Sequence, residues 1–219
     1  MIPGIDVSHW QKTIDWSLVK RSGVRFAFIK ATEFPDKQTK LWTDPNFKNN
    51  AAGCVQNDIL FGAYHFFRTH INSVLQAQDF CNVIEKCGFT LPPVLDLEAA
   101  GCRGERLAEM ISNFLFTVEE RLGCKPIIYT SSGFWFSYVF NGYYKNADFA
   151  IGYPLWIANY GRLFPPPLYP FAGWQFWQYS ESGKVPGVQT SCDLNFYSGD
   201  SLSLARLSSS TFQPEEQPA

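Results

Sequence analysis

The sequence predicts an α/β fold, an irregular TIM-like barrel of about five βα units followed by three strands with few helices. Three observations carry this reading. Short runs dense in apolar residues alternate with stretches of helical periodicity up to about residue 140. Beyond Asn141-Gly142 the helical stretches stop, and three more strand-like runs follow with loops between them. At 219 residues the chain suffices for one sizeable core and is short for two.

Taken in order, residues 4–8 read as the first strand. Ile14-Asp15-Trp16 opens a helix with Asp15 as N-cap and with Ile14 and Val19 spaced as a hydrophobic staple; Gly23 stops it. Residues 25–32 are dense in apolar side chains, as a buried parallel strand should be. Asp44-Pro45 has the form of an N-cap followed by proline at the first helical position, for a helix ending near Gly53. Residues 59–67 give the third strand, and Ser73-Val74-Leu75-Gln76 matches a capping box leading a helix to about Lys86. Residues 93–98 are the fourth strand. In the helix after it, Leu107, Met110, Ile111, Phe114, Leu115, Val118 and Leu122 fall along one face. Residues 126–130 make the fifth strand, followed by an aromatic helix or turn through Phe140. Residues 155–160, 174–179 and 193–197 are the last three strands, and Pro165-Pro166-Pro167 between them cannot be a helix interior. The barrel is expected over residues 1–207, and the Ser-, Pro-, Glu- and Gln-rich stretch 208–219 reads as a flexible tail.

Net charge is −2, so no overall basic field favours nucleic acid. No apolar run approaches the roughly 20 residues of a spanning helix, so no membrane partner is expected. Met1-Ile2-Pro3-Gly4 leads directly into a strand and lacks a signal peptide. Export is therefore expected either from a processed precursor or through a separate release system. Cys54, Cys81, Cys87, Cys102, Cys124 and Cys192 form no paired CxxC units, which argues against structural zinc. Buried free thiols are the simpler reading, with one or two bridges left open. Aromatic residues make up 17% of the chain, more than a core of this size requires, so some rings should line a surface groove.

The chemistry concentrates in Pro93-Val94-Leu95-Asp96-Leu97-Glu98. Residues two apart on a strand share a face, so Asp96 and Glu98 point one way and Leu95 and Leu97 the other. With the leucines packed on outer helices, both carboxylates point into the barrel near its active end. Two acids crowded together raise the proton affinity of at least one, which keeps an acid protonated for donation to a glycosidic oxygen. An Asp-x-Glu on an exposed strand is the plainer alternative. Asp6 and Asp193 lie at the ends of the first and last strands, neighbours in a closed barrel, and can share the same mouth. Aromatic residues with polar tips recur at strand ends: Tyr64, Tyr129, Trp156, Tyr160, Trp177 and Tyr179, with Gln178 among them. Flat apolar faces with hydrogen-bonding tips suit pyranose rings, although several must be core. His9, His65 and His70 lack the helical spacing of a zinc protease, so no metal is expected, and His65 reads as structural. No phosphate loop or Gly-x-Ser-x-Gly elbow is present, which argues against nucleotide and serine-hydrolase chemistry; no cofactor is expected.

These segments, in this order, resemble glycoside hydrolase family 25, which holds the Chalaropsis-type lysozymes and many phage endolysins. The resemblance rests on Gly4-Ile5-Asp6-Val7-Ser8, Trp10-Gln11, Ile14-Asp15-Trp16, Phe26 through Glu33, Gly62-Ala63-Tyr64-His65-Phe66 and Leu95-Asp96-Leu97-Glu98. It continues through Ile128-Tyr129-Thr130, Leu155-Trp156-Ile157-Ala158, Trp177-Gln178-Tyr179 and Asp193-Leu194-Asn195. It implies an N-acetylmuramidase cutting the β-1,4 bond between N-acetylmuramic acid and N-acetylglucosamine in bacterial peptidoglycan. On that implication Glu98 is the general acid and Asp96 orients the substrate 2-acetamido group. Asp6 and Asp193 complete an acidic floor, and Tyr64, Tyr129, Trp156 and Gln178 contact sugar. A monomer acting outside the cell or at the bacterial wall is expected. A chitinase-like glycosidase and a catalytically silent sugar-binding barrel remain alternatives, and the six cysteines depart from the family pattern.

Overall fold

A computed structural model describes residues 1–161 and 163–209. Eight strands close a barrel: β1 (Ile2–Val7), β2 (Phe26–Glu33), β4 (Leu60–Phe66), β5 (Val94–Leu97), β6 (Ile127–Ser131), β7 (Leu155–Ala158), β8 (Phe176–Gly183) and β9 (Cys192–Tyr197). A two-residue strand, β3 (Trp42–Thr43), pairs antiparallel with the end of β2. Neighbouring strands from β1 round to β8 run parallel, and β9 closes the ring antiparallel to both β8 and β1.

Four helices follow the first four barrel strands: α1 (Trp16–Arg21), α2 (Phe47–Gln56), α3 (Ser73–Ile84) and α4 (Gly104–Leu122). After β6 the chain makes a short α5 (Ser132–Phe134), one stretch of π-helix (Trp135–Phe140) and a 3₁₀ segment (Tyr144–Ala150). No helix separates β7, β8 and β9 among the described residues, as the loop-rich sequence between them implies. A last helix, α6 (Ser201–Ser209), carries no strong periodic signal; its Leu204 is buried with the barrel interior. Of the tail expected over 208–219, residues 208 and 209 belong to α6, and 210–219 lie outside the described residues.

Two apolar layers follow from the alternation of strand side chains. Ile2, Phe26, Phe28, Val94, Ile127, Tyr129, Trp156, Phe176 and Tyr197 fill the barrel. Their neighbours Ile5, Val7, Ala27, Ile29, Leu95, Leu97, Ile128, Leu155, Ile157 and Trp177 pack outward against the helices. Gly4 faces the interior where the Phe26 ring crosses, and any Cβ there would collide with that ring. Small and large side chains thus interlock across the barrel.

Two helix starts differ from the sequence reading. Asp44 does not cap α2, which begins after Asn46 without a side-chain cap. Its carboxylate is shared: Oδ1 accepts from the Asn46 N–H in the turn before the helix, and Oδ2 from the His9 N–H and the His9 ring, each at 2.9 Å. Ser73 and Gln76 do not form a capping box. Asn72 caps α3 by accepting from Leu75 N–H at 3.0 Å. Gln76 turns inward, accepting from His65 and the Arg68 N–H and donating to the Arg68 and Ile71 carbonyls. Asp15 caps α1 as expected, accepting from Ser17 and Leu18 N–H groups at 3.0 and 3.1 Å.

Candidate active site

The carboxyl ends of the parallel strands form the mouth, and the acids gather there. Asp6 lies next to the end of β1 and Asp96 next to the end of β5, while Glu98 is the first residue beyond β5. Asp193 sits near the start of β9; because that strand runs backwards, its start lies at the mouth, directly opposite Asp6 in register. Asp6 and Asp96 are 7% and 6% exposed, whereas Glu98 opens to solvent. Glu98 lines a cavity of about 500 Å³ with Tyr129, Ser131, Ser132, Gly133, Ala158, Asn159, Tyr160 and Glu181.

Gln178 ties the floor together. Its amide oxygen accepts from the Tyr129 and Tyr160 hydroxyls at 2.8 and 2.6 Å. Its amide nitrogen donates to Asp6 at 2.9 Å and, more distantly, to Asp193 at 3.4 Å. Asn195 donates a second bond to the same Asp6 oxygen at 2.7 Å and accepts from the Trp156 indole at 2.8 Å. The tyrosines therefore point donors at an amide that presents donors to the carboxylates.

Burial is the leading cause of every acid's altered proton affinity here, and it acts upward. Asp96 is raised well above the usual carboxylate range by burial and then by the charge of Glu98, with Lys30 opposing. Glu98 is raised by the low-dielectric walls around it, against the pull of Lys30. Asp6 is raised well by burial and by Asp193, partly offset by the bonds from Asn195 and Gln178. Asp193 is raised by burial and, to a lesser degree, by Glu181. Tyr64 and Tyr129 are pushed well up by burial and the surrounding acids, so both keep their hydroxyl protons as donors. One Asp96 oxygen, Oδ1, is buried without a hydrogen-bond partner. An orphaned buried acceptor is costly, and one retained beside Glu98 calls for a physical reason.

All four acids expected from the sequence thus act on one another across a single mouth. Tyr64, half-buried on the inward face of β4, and Tyr129 face the same acids. Trp156 is different: at 2% exposure it stacks on Phe28 at 4.3 Å and packs on Tyr129 at 4.4 Å. It belongs to the barrel packing beneath the site, which corrects its reading as a sugar-contacting ring. Trp177 and Tyr179 point outward, where they pack with Trp174 and Phe196, because they alternate with the inward Phe176 and Gln178. Lys30, Asn195, Glu181, Ser131, Ser132 and Asn159 were not singled out from sequence. The first two were accessible by counting in twos from Phe28 and from Asp193.

Among the described residues, no group of three His, Cys, Asp or Glu is arranged to hold a metal ion. The histidines are dispersed: His9 on Asp44, His65 between Thr32 and Gln76, and His70 on the Gln38 carbonyl. All six cysteines are free thiols, with Cys54, Cys81 and Cys192 buried. No described helix is long and apolar enough to cross a membrane.

Comparison with known proteins identifies the family. The model of the family described as glycosyl hydrolases family 25 matches residues 5–188. Lysozyme M1 of Streptomyces globisporus is 35% identical over 223 residues, covering 96% of this chain and 72% of that protein. The N,O-diacetylmuramidase of Chalaropsis sp is 30% identical over 224 residues, covering 94% of this chain and 98% of that one. The solved bacterial lysozyme from Streptomyces coelicolor superposes with a TM-score of 0.81 at 31% identity, over 94% of this chain and 96% of its own. With the family model matching most of its length and the barrel matching a solved member, the chain belongs to glycosyl hydrolase family 25 and is a glycoside hydrolase.

Proposed function

We propose that the chain is an N-acetylmuramidase that hydrolyses the β-1,4 bond between N-acetylmuramic acid and N-acetylglucosamine in bacterial peptidoglycan, with residues 1–207 as its catalytic unit. The observation that carries this is the pairing of an open Glu98 carboxyl with a buried Asp96 whose Oδ1 has no partner. Glu98 lies in the cavity and donates a proton to the leaving glycosidic oxygen. Asp96 Oδ1 accepts from the N–H of the 2-acetamido group, which turns its carbonyl oxygen towards the anomeric carbon. Sugar seated over Glu98 excludes water and raises its proton affinity further, which favours the proton on Glu98 at the moment of reaction. Attack by the acetamido oxygen and attack by water both begin with this transfer and differ in the configuration they leave. Asp6 and Asp193, fixed by Gln178 and Asn195, maintain the negative field that stabilises an oxocarbenium-like centre. Tyr64 acts as a hydroxyl donor to the sugar, whereas Tyr129, whose one hydroxyl proton goes to Gln178, meets the sugar through its ring and through its oxygen as an acceptor. All the acids come from one chain, so a monomer acting at the bacterial wall suffices.

Purified protein should release new reducing ends from peptidoglycan, with muramic acid at the reducing terminus by mass spectrometry. Glu98→Gln should reduce kcat by about 10²–10⁴-fold with an unchanged fold. Full activity in that variant would remove Glu98 as the acid. Faster release from chitin oligomers would favour a chitinase, and wall binding without product would favour a silent barrel.

A further inference from the structure

Lys30 stands on the inward face of β2 and is only 8% exposed, an uncommon place for an ammonium group. Its carboxylate neighbour is Glu33 at 3.4 Å, and its Nζ lies 5.7 and 5.0 Å from the ring centroids of Trp42 and Phe66. Glu33 is bound in turn by Arg68 at 3.3 Å, and Arg68 reaches Asp36 at 2.9 Å, whose side chain is 78% exposed. Charge therefore alternates inward from solvent: Asp36, Arg68, Glu33, Lys30. Strand register sets Tyr64 beside Lys30 and Asp96 beside Phe66, and the Lys30 ammonium lies over that same Phe66 ring, so the series ends one side chain away from Asp96. Packing alone does not require a charge here. Phe26 and Phe28, on the same face, fill the barrel without the cost of desolvating an ammonium.

We propose that Lys30 is a positioning residue for the reaction: its buried ammonium is the counter-charge of the Asp96–Glu98 pair. The proposal rests on the reading of that pair as the reacting acids. Lys30 opposes the upward shift of both, which burial causes first. The other groups facing Asp96 are Glu98, Asp6 and Glu33, all pushing upward, and the uncharged phenols of Tyr64 and Tyr129. Those facing Glu98 are Asp193, pushing upward, and Arg68, pulling downward, with Glu181 on the same cavity wall. With Lys30 removed, both acids take up protons at higher pH. With Glu33 removed, the same ammonium acts unopposed and both release protons at lower pH.

The test compares Lys30→Met, Lys30→Arg and Glu33→Gln by two readouts: the pH profile of kcat on peptidoglycan, and ¹³C NMR titration of the Asp96 and Glu98 carboxyl carbons. Lys30→Met should move both limbs of the profile, and both carbon midpoints, to higher pH by about one unit. Glu33→Gln should move them to lower pH, and Lys30→Arg should restore the wild-type positions. A merely structural lysine would lower kcat with the limbs in place, and that result overturns the proposal. If Lys30→Met does not fold, the acid shift in Glu33→Gln and the restored midpoints in Lys30→Arg decide the matter. The two readings fail separately. Wild-type protein that releases no reducing ends overturns the muramidase, whereas carboxyl carbons that do not move overturn the role of Lys30.

Discussion

Acidification should weaken this fold through a single histidine by about 3 kcal/mol. The His65 ring is fully buried between β4 and the helices, stacked on Phe114 at 5.4 Å and tilted against Phe80 at 5.6 Å. Gln76 presents its oxygen at 3.0 Å, so Nε2 carries the proton, and Nδ1 accepts from the Thr32 hydroxyl at 2.8 Å. A second proton has no favourable place. Burial, with a lesser push from Lys30, lowers the ring from its ordinary 6.5 to about 4, despite the opposing bond from Gln76. Each unit is worth about 1.4 kcal/mol, so the gap amounts to about 3 kcal/mol. Between those two values the unfolded chain holds a proton that the folded chain refuses. The contribution is therefore whole above pH 6.5 and lost as pH falls towards 4. Asp6 and Asp96 slope the other way, because their raised folded pKa values favour the fold at low pH. The wild-type curve mixes these effects, and comparison with His65→Gln isolates the ring, since glutamine retains a donor and an acceptor at similar volume. Urea denaturation followed by circular dichroism at pH 7 and pH 4 measures it. The stability advantage of wild type over the variant should shrink by about 3 kcal/mol at the lower pH. An advantage equal at both pH values would refute the neutral, buried ring.

Asp96→Asn should abolish most activity yet stabilise the protein near neutral pH, because it removes a buried charge and its repulsion with Glu98. The gain should fade as pH falls and the wild-type carboxyl protonates, which thermal melts at pH 7 and pH 4 would show. Gln178→Leu leaves the Tyr129 hydroxyl without its acceptor and Asp6 with one donor fewer; a loss of about 2–4 kcal/mol in urea denaturation is expected. Gly53→Ala on α2 forces a methyl group into the Trp16 ring, and a cost of about 1–3 kcal/mol should appear as a lower Tm with activity preserved. An unchanged Tm would mean that the ring moves aside freely.

The order of the elements was legible because each is declared locally. The apolar face of α4, from Leu107 to Leu122, and the Asp15 cap of α1 depend on near neighbours in sequence, and both form as their residues dictate. The same two-residue period that fills the barrel with Phe28, Val94 and Trp156 aims Asp96 inward, so the deep member of the acid pair could be read from one segment. Where the reading failed, a distant partner outweighed a local motif. Asp44 divides its carboxylate between the turn at Asn46 and His9, and Gln76 left a capping box for His65. Trp156 carries a sugar-binding ring's chemistry, yet Phe28 and Tyr129 cover it.

By itself the sequence determined which side chains face inward and that acids lie near strand ends, since strand alternation is a property of consecutive residues. Only the tertiary structure decided which ends meet. Asp193 reaches the mouth because β9 closes the barrel antiparallel, which sets it opposite Asp6; in a parallel strand the same residue would lie at the far end. Likewise Glu33 rejoins Lys30 only because a bulge in β2 after Lys30 shifts the register, and Arg68 arrives from beyond β4 to complete the series. Strand direction and register come from pairing between segments far apart in the chain, and no local pattern encodes them.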